Sequence, residues 1–96
     1  MTIKTTVEEN TITLSLEGWL DTQAAPELKA AIEGIDPKIE SMTLDLEKLE
    51  YVASSGLRQF VAAHKKMNGQ LTLKNVSPEI MDILNMTGLG KKLNII

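Results

Sequence analysis

The chain has 96 residues and a mass of 10.6 kDa, is 43% hydrophobic and 24% charged, and contains no cysteine and a single histidine. A chain of this length forms one small domain with little room for an enclosed substrate cavity. This composition excludes disulfide frameworks and thiolate metal sites, and leaves the usual zinc and triad constellations unassembled. We therefore expect one domain over residues 1–96 that is not an enzyme and holds no metal or cofactor.

Charge is distributed unevenly along the chain. Residues 1–50 carry 4 basic and 11 acidic side chains, and residues 51–96 carry 6 and 2, so the halves have net charges of −7 and +4. The basic residues are scattered and only three residues are aromatic, which argues against direct nucleic-acid binding. The first ten residues lack an apolar core, and no stretch approaches the roughly 18–20 apolar residues of a membrane span. We expect a cytoplasmic protein without membrane contact.

The first elements predicted along the chain are strands. Apolar and polar residues alternate strictly from Thr11 to Glu17 and more weakly over residues 3–7, which is typical of strands with one wet face. Glu9-Asn10 lies between them and predicts a tight turn, so the domain is expected to open with a β-hairpin. Two further alternating segments, residues 42–47 and 71–74, predict two more strands.

Three segments carry apolar residues at helical spacing, at residues 24–35, 57–64 and 77–88. Polar residues that can cap a helix precede each of them. The candidate caps are Asp21 or Thr22 for the first helix, Ser54 or Ser55 for the second, and Ser77, followed by Pro78, for the third. The expected ends lie at or before Gly34, Gly69 and Gly88.

The predicted order is strand, strand, helix, strand, helix, strand, helix, with a short terminal strand at Leu93–Ile96. This order indicates an α/β domain in which the strands after the hairpin are parallel and joined by right-handed crossovers. The strands alternate instead of being apolar throughout. We therefore expect a mixed sheet with helices mainly on one face and the other face open to water.

The most informative segment runs from Asp45 to Arg58 and joins a predicted strand to the second helix through two serines and a glycine. The first amide groups of a helix have no intrahelical acceptor, and the macrodipole is positive at that end. An anion carried by one of these serines would be accepted there. On residue types alone, the serines can equally be simple capping residues.

The run from Tyr51 to Arg58 resembles the signature of STAS domains, the fold of bacterial anti-sigma factor antagonists. Further fragments support the resemblance in order and spacing over most of the chain. They are Gly18-Trp19-Leu20-Asp21, Pro26-Glu27-Leu28, Asp45-Leu46 at the end of the third strand, Gly69, Leu71, Leu73 and Gly88-Leu89.

The resemblance implies a partner switch in sigma-factor control. The unphosphorylated antagonist binds an anti-sigma factor serine kinase, phosphorylation of one serine breaks the complex, and a serine phosphatase is a possible further partner. The matching phosphoacceptor is Ser54, with Ser55 as the alternative. The partner-binding residues implied are Asp21, Thr22, Tyr51, Ala53, Ser55, Gly56, Leu57 and Arg58, the last from the fourth helical position.

Several other interpretations stay open. Ala53 stands where kinase-regulated members often have an acidic residue, which favours a constitutive binding or sensor module that is not phosphorylated. The same helix start suggests a nucleotide-binding module, although no Walker-type glycine loop is present. A small hydrolase would need a base near Ser54, and His64 lies ten residues further along the helix. Trp19 is either a packing residue or, if exposed, a binding anchor.

Overall fold

Five strands and four helices build the fold, and the computed structural model describes all of residues 1–96. The strands are β1 (Thr2–Glu8), β2 (Thr11–Leu20), β3 (Ser41–Val52), β4 (Leu71–Lys74) and β5 (Asn94–Ile95). The helices are α1 (Ala25–Glu33), α2 (Ser54–Lys66), α3 (Pro78–Met86) and α4 (Leu89–Lys92). None of the helices has the length and apolar composition that a membrane crossing requires.

The strands form one mixed sheet in the order β1-β2-β3-β4-β5. β1 pairs with β2 in antiparallel fashion through a turn in which Glu9 has a φ of 55°, and the remaining neighbours are parallel. Right-handed crossovers that always advance in the same direction leave every crossover on the same face of the sheet. The predicted hairpin, parallel strands and terminal strand are confirmed.

One face of the sheet packs against the helices and the other remains open. Over residues 11–16 of β2 and 41–46 of β3, every second side chain is buried, and the residues between them are only partly covered. The buried side chains join apolar residues from the helices in a core of 22 residues that contains no buried polar side chain. The alternation of apolar and polar residues therefore correctly predicted a sheet with helices on one face.

β3 continues to Val52, beyond both the alternating segment 42–47 and Asp45-Leu46, the strand end that the resemblance implied. Register shifts against β2 leave two extra residues in β3. Each bulge exposes two consecutive residues, Glu47-Lys48 and then Glu50-Tyr51, between buried ones. A bulge interrupts the alternation of buried and exposed residues. The second half of the strand could therefore not be predicted from alternation.

The caps of α1 and α3 differ from each other. Ser77 precedes α3 as predicted, and its Oγ accepts a hydrogen bond from the Ile80 amide at 3.2 Å. α1 has Ala24 at its N-cap position, so the prediction of Asp21 or Thr22 there was wrong. Asp21 instead caps the turn just before the helix, because its Oδ1 accepts from the Ala24 amide at 2.8 Å.

α2 begins one residue earlier than a Ser54 cap would require and two residues earlier than a Ser55 cap would. Its N-cap is Ala53, in an extended conformation and without a side-chain cap, so Ser54 and Ser55 are the first two helical residues. The predicted serine cap was therefore wrong, and Arg58 is the fifth helical residue and not the fourth. α4 was not predicted. Gly88, with a φ of 80°, separates it from α3, and its four residues are too few to show a helical periodicity.

Candidate functional site

The N-terminus of α2 is held tightly against the end of β2. Gly56 in its first turn is buried, and a Cβ atom there would lie 2.6 Å from the Leu20 Cγ and 3.0 Å from the Val52 Cγ2. The Ala53 amide donates to the Leu20 carbonyl at 2.8 Å. Glycine thus lets the helix start approach the carboxyl end of the parallel strands, the edge where open α/β sheets place their sites.

Ser54 occupies the first helical position of α2 and is exposed. Its hydroxyl has no hydrogen-bond partner among the side-chain contacts, and the first turn of the helix contains no acidic residue. The positive end of the helix dipole is therefore uncompensated at this hydroxyl. The geometry can accept negative charge on Ser54 without moving the backbone.

Ser55 faces a neighbouring corner of the fold. Its Oγ donates to the Thr22 Oγ1 at 3.4 Å. Thr22 follows the half-buried Asp21, whose carboxylate and carbonyl oxygens hold the start of α1. The corner between β2 and α1 and the start of α2 therefore form one continuous surface.

Arg58 lies one helical turn after Ser54 on the same side of α2. Its side chain is exposed and makes no ion pair. Both residues line an open groove of about 340 Å³ between α2 and the end of α3, together with Leu57, Val61, Thr87 and Leu89. The far wall, Thr87 and Leu89, was not assigned to the site from the sequence, although Gly88-Leu89 contributed to the resemblance.

Two exposed aromatic side chains lie beside this site. Tyr51 near the end of β3 pairs in register with Trp19 of β2, and their ring centroids are 5.4 Å apart. Trp19 is 59% exposed and Tyr51 41%. Trp19 is therefore not a core packing residue.

The remaining candidate, His64, is half-buried near the C-terminus of α2. Ten residues of helix separate it from Ser54, roughly 15 Å at the helical rise of about 1.5 Å per residue. The structure does not bring the two together as a nucleophile and its base. No group of three histidine, aspartate or glutamate side chains is placed to hold a metal ion.

The fold is that of a known class. The family model of the STAS domain matches residues 2–96, and the chain belongs to that family.

Three similar proteins illustrate the match. The anti-sigma-B factor antagonist of Bacillus subtilis (strain 168) is 29% identical over 90 residues, which cover 91% of this chain and 83% of the relative. An anti-sigma factor antagonist from Mycobacterium paratuberculosis superposes with a TM-score of 0.87 at 23% identity, over 98% of this chain and 83% of the other. The Bacillus cell fate determinant SpoIIAA in its phosphorylated form gives 0.76 at 22% identity, over 99% and 91%.

Proposed function

We propose that this protein is an anti-sigma factor antagonist that works as a phosphorylation switch. In its unphosphorylated form it binds an anti-sigma factor serine kinase and thereby frees a sigma factor for transcription. Phosphorylation of Ser54 releases the kinase. The observation that carries the proposal is the exposed Ser54 hydroxyl at the first position of α2, in a chain that belongs to the STAS family.

The switch acts through charge at the docking surface. A phosphoryl group adds about −1.5 to −2 charges at pH 7, and the uncompensated helix start stabilises that charge within the protein. Arg58, one turn along and free of ion pairs, adds a second source of stabilisation. In a complex with a partner packed against Ser54, the new charge must be desolvated and is repelled by acidic groups of the partner. The complex is therefore weakened, while the fold stays intact.

The proposed partner surface joins the start of α2 to the corner between β2 and α1. It comprises Asp21, Thr22, Tyr51, Ala53, Ser55, Gly56, Leu57 and Arg58. Gly56 and Leu57 are buried and shape this surface from beneath, whereas Thr22, Tyr51 and Arg58 are exposed for direct contact. A serine phosphatase would restore the binding form. We place the protein in the cytoplasm, as a regulator and not an enzyme.

A phosphorylation assay that identifies the modified serine tests this function. The purified protein is incubated with ATP and the anti-sigma kinase encoded in the same genome, and the modified residue is identified by mass spectrometry. We expect one phosphoryl group on Ser54, no modification of Ser54→Ala, and unchanged modification of Ser55→Ala. Phosphate on Ser55 alone would move the switch to the other serine.

Ala53 defines the competing outcome. If neither serine is modified and Ser54→Asp binds the kinase as tightly as the wild type, the protein is a constitutive binding module. The variant Ala53→Asp then serves as a matched comparison, because it changes only the residue before the acceptor. Modification of that variant but not of the wild type would show that the alanine removes this chain from kinase control.

A further inference from the structure

The aromatic pair of Trp19 and Tyr51 lies on the open face of the sheet. Leu20 and Val52, their next neighbours along each strand, are 0% and 3% exposed on the helix-covered side. Successive side chains of a strand point to opposite faces, so the two rings project away from the core. Exposed tryptophan and tyrosine side chains with low conformational entropy are the typical anchors of protein interfaces.

The pair is continuous with the site at α2. Tyr51 and Ser54 are three residues apart, a reach of roughly 10 Å at about 3.3 Å per extended residue. The hydrogen bond between the Ala53 amide and the Leu20 carbonyl fixes the two strand ends beside each other. One partner with a standard footprint of about 800 Å² can therefore cover the rings and Ser54 together.

The charges beside the rings indicate the chemistry of that partner. Glu50, the neighbour of Tyr51 in the second bulge, is exposed and makes no ion pair. Glu47 in the first bulge makes none either, but it lines an open hollow together with Lys4 and Lys48. Glu17 on the same face differs, because Lys4 at 3.4 Å and Lys48 at 3.6 Å both neutralise it. The aromatic pair is thus bordered by the unpaired carboxylate of Glu50, which attracts a basic surface and repels nucleic acid and anionic lipid.

We propose that Trp19 and Tyr51 anchor the anti-sigma partner by filling an apolar pocket rimmed by lysine or arginine, with Glu50 facing those cations. The inference rests on the proposed function and extends it to a second contact on a different face of the domain. The phosphorylation state of Ser54 controls whether the partner remains bound, and the aromatic pair supplies much of the binding affinity.

Trp19 is the only tryptophan of the chain, so its fluorescence reports directly on this surface. The unphosphorylated protein is titrated with the anti-sigma kinase from the same genome, with binding followed independently by calorimetry. If the kinase contains tryptophan, those residues are replaced by phenylalanine. We expect a blue-shifted emission and reduced acrylamide quenching of Trp19 in the complex.

The variant Trp19→Ala should bind about tenfold or more weakly, as loss of a central aromatic anchor does. Val7→Ala is the matched control. Val7 of β1 is 54% exposed, but it pairs with Ile12, at the opposite end of β2 from Trp19. Glu50→Gln should weaken binding and flatten its dependence on salt. Thermal unfolding of each variant confirms that the fold is intact.

Distinct outcomes separate this inference from the proposed function. Tight kinase binding with unchanged Trp19 emission and an unaffected Trp19→Ala variant overturns the anchor and leaves the switch at Ser54 standing. Absence of any kinase binding overturns both. A blue shift that depends on the concentration of the protein alone, and disappears in Trp19→Ala, assigns the rings to contact between two copies and also overturns the inference.

Discussion

A Cβ atom on Gly56 would lie 2.6 Å from the Leu20 Cγ, closer than real carbon atoms approach. Gly56→Ala gains helix propensity of about 1 kcal/mol but overpacks a buried contact, which costs about 1–3 kcal/mol. We expect the free energy of unfolding to fall by up to about 2 kcal/mol, the difference of these two effects, measured by urea denaturation.

A double-mutant cycle with Leu20→Ala identifies that contact as the cause. Leu20→Ala alone destabilises the core by about 2–5 kcal/mol, but it removes the two atoms that lie closest to the new methyl group. Gly56→Ala should therefore cost clearly less in the Leu20→Ala background, where only the Val52 Cγ2 at 3.0 Å still crowds the new methyl group. An equal loss in both backgrounds would show that the glycine is needed for another reason.

Two serines at helix starts should respond differently to removal of their hydroxyls. Ser77→Ala loses the capping bond to the Ile80 amide and should lower the free energy of unfolding by about 1 kcal/mol. Ser54→Ala loses no capping bond and should change it by less than about 0.5 kcal/mol. Equal losses in parallel denaturation experiments would restore Ser54 as a cap.

Negative charge at Ser54 should strengthen the fold while weakening the complex. Ser54→Asp compensates the dipole of α2, whose first turn has no acidic residue, and should add about 0.3–1 kcal/mol to the free energy of unfolding at low salt. Kinase affinity should fall in the same variant, and Ser54→Asn is the neutral control. A variant that loses both stability and binding would indicate local unfolding and not a switch.

Arg58 should stabilise the dianionic phosphate on Ser54, since the two residues share one side of α2 and one groove. The second pKa of a phosphoserine is about 6, and a nearby guanidinium lowers it. In phosphorus NMR titrations of the phosphorylated protein, we expect Arg58→Gln to raise that pKa. Lys66→Gln, at the other end of α2, should leave it unchanged. A shift of equal size in both variants would indicate a general field effect.

Much of the fold was predictable because the polarity and type of the residues in most elements match the burial and backbone conformation of their positions. Strict alternation from Thr11 to Glu17 follows from a sheet covered on one face, and the Ser77-Pro78 pair marks a helix start through local chemistry alone. The second half of β3 was not predictable, since its bulges depend on pairing with β2 and leave exposed pairs such as Glu47-Lys48.

The site divides in the same way. Ser54 and Gly56 lie in a contiguous motif and could be selected as candidates from the sequence, although neither serine is the cap, because Ala53 takes that position with its backbone alone. Thr87 and Leu89 reach the groove only through the packing of α3 against α2. The exposure of Trp19 depends on a register that the chain does not encode locally.

The most direct test of the switch is the dissociation constant of the anti-sigma kinase for this protein before and after phosphorylation of Ser54, measured by calorimetry under identical salt. We expect the phosphorylated form to bind at least about tenfold more weakly, a difference of about 1.4 kcal/mol, while its helical circular dichroism stays unchanged. Affinities equal within about twofold, by the same conversion less than about 0.5 kcal/mol, would contradict the account.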